Sequence, residues 1–210
     1  MLIPDEPFPD FDDSHLLKEN LKFPASRFVS KQDKGMNYYS QSPVFQDQWV
    51  CETLNFKKDG TFVDVGCRGP IGHGNNTYAM ESQLGWRGVS VDNQPQYIAL
   101  WENSDREASG AYCCDALTVD YVKLFEENNL PEIIDYLTLD LEPPQITLEA
   151  LYKIPFDKYK FRCITFETDA YRNLGTEGPS RSFLTEHGYK LVQAVNTQDD
   201  FWVLDGETEL

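Results

Sequence analysis

Cations are scarce in this sequence. Lys and Arg number 18 against 35 Asp and Glu in 210 residues, a formal net charge of -17. A phosphate backbone needs a basic face, so the balance argues against a nucleic-acid partner. An anionic membrane surface is disfavoured for the same reason. No apolar run approaches the length of a transmembrane helix. The first residues, MLIPDEPFPDFDD, are acidic and proline-rich, which is not the basic-then-apolar pattern of a secretory signal. A cytoplasmic location is expected. Five cysteines (Cys51, Cys67, Cys113, Cys114 and Cys163) form no C-x-x-C pair, and an odd count of this kind reads as reduced, mostly buried thiols. Only three histidines are present, His15, His73 and His187. There is no G-x-G-x-x-G, the loop a dinucleotide would more often require.

What is present has a clear organisation. Residues 1–35 are polar, with Pro4, Pro7, Pro9 and Pro24, and read as an N-terminal arm or lid. Within them HLLKENLK has the makings of one short helix. Residues 36–210 read as one domain. In them, short apolar runs alternate with helical segments. TFVDVG, WRGVSVD, AYCCD, IIDYLTLDLE and FRCITFE read as strands. TYAMESQLG, PQYIALWENS, TVDYVKLFEENN and ITLEALYKI read as the intervening helices. Such alternation implies βαβ units around a mostly parallel sheet. YKLVQAV and DFWVL close the chain with a connection too short for a crossover, so they pair antiparallel. The fold class is therefore α/β, a Rossmann-like sheet with one antiparallel strand and helices on both faces.

In an open α/β sheet, ligands bind outside the carboxyl ends of the strands. Each predicted parallel strand ends in a carboxylate: Asp64, Asp92, Asp115, Asp140 with Glu142, and Glu167 with Asp169. Asp is a poor strand former, and five such placements at one rim call for a ligand. A phosphate would be repelled there, whereas a cation or a hydroxyl-rich group would be held. An acidic residue ending the second strand suits a ribose diol. Gly66 and Gly69 allow close approach of the backbone. S-adenosylmethionine fits: it carries a ribose, an adenine, a sulfonium and an amino-acid end, and no phosphate. The segment NNT (75–77) opens the first helix after the glycine-rich turn, with Asn76 or Thr77 as its N-cap.

At these residues the sequence resembles the FkbM-type methyltransferases, class I enzymes that use S-adenosylmethionine. The resemblance runs from about Tyr39 to Leu204. It rests on YSQ (39–41), QD (46–47), FVDVG (62–66), NNTYAMESQLGWRGVSVDNQP (75–95), IDYLTLDLE (134–142), ITFETDAYR (164–172), GYKLV (188–192) and DDFWV (199–203). It implies a seven-stranded sheet and O-methylation of a hydroxyl, often on a sugar. It places Asp64 and Gly66 at the methionine end of the cofactor, Asp92 on the ribose, and Asp115 with Ala116 beside the adenine. Tyr39, Ser40, Gln41 and Asn76 would line the same pocket, with Arg68 and Asn93 from the neighbouring turns. The sequence departs from the family pattern where Arg68 replaces an asparagine, where Pro70 enters the glycine-rich turn, and where Pro143 replaces a glycine.

A hydroxyl acceptor makes a base useful. Asp140, Glu142 and Glu167 are the candidates for it, with His73 behind them. The alternative role for the same three carboxylates is to hold Mg²⁺ or another divalent cation that lowers the hydroxyl's pKa. The acceptor is expected to be a small molecule or glycan. Two further functions compete with the O-methyltransferase. One is a nucleotide-dependent oxidoreductase on a similar sheet. The other is a degenerate methyltransferase fold, kept open by Arg68, Pro70 and Pro143, that serves as a non-catalytic binding module.

Overall fold

The computed structural model describes residues 25–206 except 73, 103, 108 and 196. The short helix expected in HLLKENLK and the candidate base His73 lie outside the described residues. Residues 25–35 carry a 3-10 turn, Ala25–Phe28, and a strand β1, Lys31–Asp33, which pairs with β2, Met36–Tyr38. The two-residue connection Lys34-Gly35 has positive φ at both positions, the geometry that matches the twist of a tight hairpin. Phe28, Met36 and Tyr38 are buried in one core with residues of the main sheet.

The main sheet has seven strands: β3 Thr61–Val65, β4 Arg87–Asp92, β5 Gly110–Cys113, β6 Ile133–Leu139, β7 Lys160–Glu167, β8 Tyr189–Val195 and β9 Asp199–Leu204. Their spatial order is β5-β4-β3-β6-β7-β9-β8. Pairs among β3 to β7 are parallel, and β9 runs antiparallel to both β7 and β8. The antiparallel strand is thus the last in sequence, but it sits one place in from the edge. DFWVL is the reason. β9 is buried along nearly its whole length, whereas β8 is largely exposed between its ends, so the more continuous apolar run takes the interior position.

Six helices connect these strands: α1 Gln46–Thr53, α2 Tyr78–Leu84, α3 Pro95–Trp101, α4 Tyr121–Glu127, α5 Pro144–Leu151 and α6 Glu177–Glu186. Side chains alternate across the sheet with period two, which divides the core. Val63, Val65, Val91, Leu137 and Ile164 face one cluster, completed by Leu124 and Phe125 of α4, Leu151 of α5 and Leu184 of α6. Phe62, Tyr136 and Cys163 face the other, completed by Val50 of α1 and Met80 of α2. Helices therefore cover both faces. Among the described residues no helix is long and apolar enough to cross a membrane. All five cysteines are free; Cys51, Cys67 and Cys163 are buried and Cys113 is exposed, because Cys113 lies on the edge strand β5. After β3 the chain adds β4 and β5 on one side, then returns to place β6 on the other. That reversal opens a crevice at the carboxyl ends of the central strands.

Candidate active site

The turn after β3 is set by backbone contacts. Gly66 has φ +92, and its amide donates to the Val91 carbonyl at 2.9 Å. A Cβ on Gly66 would overlap the carbonyl oxygen of Asp140 and lie 2.7 Å from its carbonyl carbon. Arg68, also at positive φ, donates its amide to Asp92 Oδ2 at 2.9 Å. Asn75 caps α2: its Oδ1 accepts from the amides of Thr77 and Tyr78 at 3.1 and 2.8 Å. Thr77 occupies the N-cap position without a side-chain cap. Its hydroxyl is drawn instead to Asp64 Oδ2 at 3.0 Å. Asn76 turns inward, accepting from Ser40 Oγ at 3.1 Å and donating to Thr138 Oγ1 at 3.3 Å. The expected capping role therefore belongs to Asn75, because the side chains of its two neighbours are engaged in the interior.

One arginine fastens this turn from behind. The Arg106 side chain is fully buried. It donates from Nε to Glu81 Oε2 at 2.7 Å, from Nη1 to the Pro70 carbonyl at 3.1 Å and from Nη2 to Thr77 Oγ1 at 2.9 Å. Its guanidinium stacks 4.3 Å from the Trp101 ring centroid. It also favours ionisation of Asp64. Nothing in the surrounding ENSDREASG marks Arg106 as an interior residue, since a charged side chain in a polar loop is ordinarily solvated.

A cavity of about 620 Å³ lies over the strand ends. Of the residues expected at a cofactor, Gln41, Asp64, Gly66, Arg68, Asn76, Asp92, Asn93, Asp115 and Ala116 line it. Tyr39 and Ser40 sit behind the wall. The Tyr39 ring packs edge-on against Tyr78, and the amides of Tyr39 and Ser40 donate to the buried Asp47 carboxylate at 2.6 and 3.1 Å. Of the expected proton acceptors, Asp140, Glu142 and Glu167 line the cavity. Gln46 and Asp199 also line it, although neither was singled out from sequence. The DD preceding FWVL was the available signal, since two acids seldom begin an interior strand.

Burial raises the carboxyl pKa values of Asp64, Asp140, Glu167 and Asp199. Asp64 is pushed up to about 7 by desolvation, despite the opposing pull of Arg106 and the Thr77 hydroxyl. Asp199 is pushed up to about 8 by desolvation and the nearby Asp140 charge. Glu167 is pushed up to about 12 by desolvation, by the charge of Asp140 and by a hydrogen bond to it. Asp140 is also raised by burial, but less, because Glu167, Arg68 and Asn76 favour its charged form. At neutral pH Glu167 accordingly keeps its proton and donates it to Asp140, which carries the charge of the pair.

These raised values have a consequence for stability. The folded chain holds protons on Asp64 and Asp199 that the unfolded chain, with carboxyl pKa near 3.9, has already released. Folding is therefore favoured at low pH and loses stability as pH rises through the folded values. The thermal midpoint of the ligand-free protein should fall from pH 5 to pH 7 and fall less steeply above about 8, as Asp64 and Asp199 become ionised in both states. A midpoint that rises between pH 5 and 7 would contradict these assignments.

The donor set does not fit a divalent cation at Asp140, Glu142 and Glu167. The carboxylates whose oxygens converge, within 4.8 Å, are Glu142, Glu167 and Asp169. Arg172 Nη1 already sits 3.0 Å from both Glu142 and Asp169. Asp140 is turned to its partner Glu167. Mg²⁺ or Ca²⁺ would want six or more oxygens without a competing cation.

No family model and no curated relative matches this chain. Solved structures do. The methyltransferase domain of METTL16 superposes with a TM-score of 0.58 at 14% identity, covering 92% of this chain and 80% of that one. The fibrillarin pre-rRNA processing protein of Methanococcus jannaschii gives 0.55 at 13% identity, covering 88% and 86%. Precorrin-6y C5,15-methyltransferase of Geobacter metallireducens gives 0.50 at 13% identity, covering 86% and 97%. At such identities the likeness concerns the fold alone: this chain shares the Rossmann-like α/β fold of these methyltransferases.

Proposed function

We propose that this chain is an S-adenosylmethionine-dependent methyltransferase that acts on a hydroxyl of a polyhydroxylated, carbohydrate-like acceptor. The observation that carries the reading is the single cavity wall formed by Asp64, Asp92 and Asp115 at the switch point of the sheet. Its volume is within the range of small-molecule sites. Each Asp92 oxygen accepts one backbone amide, from Arg68 at 2.9 Å and Gln94 at 2.8 Å, which leaves lone pairs for a ribose diol. The acidic rim disfavours the diphosphate of a nicotinamide cofactor. The altered turn also favours a working site over a degenerate one. Arg68 uses its backbone to hold Asp92, Pro70 offers its carbonyl to Arg106, and Pro144 occupies the first turn of α5 after Pro143, where proline is preorganised for a helix. The motifs from Tyr39 to Leu204 resemble those of the FkbM-type enzymes, and the proposed hydroxyl acceptor rests on that resemblance.

When bound, S-adenosylmethionine supplies an electrophilic methyl group. The chain's own residues orient the cofactor through Asp92 and hold a proton acceptor opposite, at Asp140. Glu167 donates to Asp140 and so fixes its carboxylate.

The experiment is a calorimetric titration with S-adenosylmethionine, S-adenosylhomocysteine and NAD. Binding of the first two and not the third is expected. Asp92→Ala should weaken S-adenosylhomocysteine by about ten-fold or more, the cost of a hydrogen bond to a charged group; an unchanged affinity would remove the ribose assignment. For the proton acceptor, Asp140→Asn should lower kcat by about 100-fold or more, the scale of a lost general base. Glu167→Gln retains a donor toward Asp140 and should cost about ten-fold or less. Equal effects of the two substitutions would reverse or cancel their roles.

A further inference from the structure

Away from Asp92 and Asp115, the cavity is bounded by Gln46, Asp140, Glu167 and Asp199. Glu167 and Asp199 face each other directly in the β7–β9 register, and Gln46 opens α1 above them. Gln46 is 6% exposed and Asp199 5%. Gln46 Nε2 donates to Asp199 Oδ1 at 3.2 Å, which turns its carbonyl away from the carboxylate. Gln46 Oε1 is then a buried acceptor without a partner, and so is Glu167 Oε2. Buried polar atoms are normally satisfied; here two orphaned acceptors line the same cavity beside two further carboxylates. Arg172 is engaged with Glu142 and Asp169 and Arg181 with Asp200, while Arg68 acts on Asp140.

We infer that this end of the cavity receives an ammonium group carried by the methyl acceptor, held by Gln46 Oε1, Glu167 Oε2 and the Asp199 carboxylate. With Asp199 ionised, as a bound cation favours, Gln46 Oε1, Glu167 Oε2 and the Asp199 carboxylate all present acceptors to this end of the cavity. An ammonium has three donors and no lone pair, so it complements such a wall fully. A hydroxyl has one donor and two lone pairs, and its lone pairs would face carboxylate oxygens. A positive charge also suits a wall whose neighbours Asp140 and Asp169 act on Glu167 and Asp199 alike. Joined to the hydroxyl-methylating reading, on which the word acceptor rests, the class is an amino sugar or a similarly amine-bearing polyol.

D-glucosamine and D-glucose differ at one position by an ammonium against a hydroxyl and make a matched pair of probes. Each is titrated into the protein with and without saturating S-adenosylhomocysteine. Glucosamine should bind about ten-fold or more tightly than glucose, the gain from charge-assisted hydrogen bonds. Gln46→Leu and Asp199→Asn should each bring glucosamine to the level of glucose while S-adenosylhomocysteine still binds, which shows that the variants are folded. Equal binding of the two sugars, binding of neither, or a preference that survives both substitutions overturns the inference. If S-adenosylhomocysteine itself fails to bind, the methyltransferase reading falls. The sugar pair measured without it still decides the ammonium site.

Discussion

Gly66→Ala is expected to abolish S-adenosylhomocysteine binding and to destabilise the protein severely. Two costs combine. A non-glycine residue at φ +92 is strained by roughly 1–2 kcal/mol. The added Cβ must also displace the Asp140 carbonyl, and Asp140 is joined to β3 through its own amide, which donates to the Val65 carbonyl at 3.0 Å. The clash can be relieved only by separating the ends of β3 and β6, the two strands beneath the cavity. Packed interiors do not yield to such a wedge cheaply. Gly35→Ala separates the two costs. Gly35 has φ +80 in the β1–β2 turn, and a Cβ there meets nothing within 4 Å, so it should lose only about 1–2 kcal/mol and leave binding intact. Thermal melts and titrations of the two variants test the argument. A Gly66→Ala protein as stable as the Gly35→Ala protein, with full affinity, would mean that the strand ends are free to part.

Arg106→Met should rank next. It removes a cation whose side chain is fully buried and whose partners are Glu81, the Pro70 carbonyl and the Thr77 hydroxyl. Removing one member of a buried ion pair costs about 3–5 kcal/mol, and in a chain of this length the melting midpoint should fall on the order of 10 °C. The glycine-rich turn loses its tie to α2, and Asp64 loses the cation that favours its ionised form. Cofactor affinity should therefore drop although Arg106 itself is not among the residues lining the cavity. The double variant Arg106→Met, Glu81→Met removes both charges and should regain much of the stability, but not the affinity, because the turn remains untied. If Arg106→Met melts within 2–3 °C of the parent, roughly a 1 kcal/mol effect, the arginine is not the fastening of the turn.

Both residues show how unevenly the molecule is written in its sequence. Alternating apolar runs and helical segments were legible because each is a local pattern of period two or 3.6. The carboxylates at the strand ends were legible too, since Asp64, Asp92 and Asp140 each interrupt or close an apolar run. Gly66 stood out at the joint after β3. Arg106 did not, because a buried arginine in a polar loop has no local signature. Thr77 is the N-cap residue of α2, one of the two expected, but the capping oxygen comes from Asn75, because Asp64, Ser40 and Thr138 engage the side chains of Thr77 and Asn76 in the interior.

By itself, then, the sequence determined the α/β class, the order of its elements and the acidic character of the rim, all of which depend on residues close together in the chain. Only the tertiary structure decided that β9 would slip between β7 and β8, that Glu167 would donate its proton to Asp140, and that Gln46 would meet Asp199 across 153 residues. These depend on which side chains lose water together. Desolvation and proximity are set by the packing of distant segments, and no local pattern encodes them.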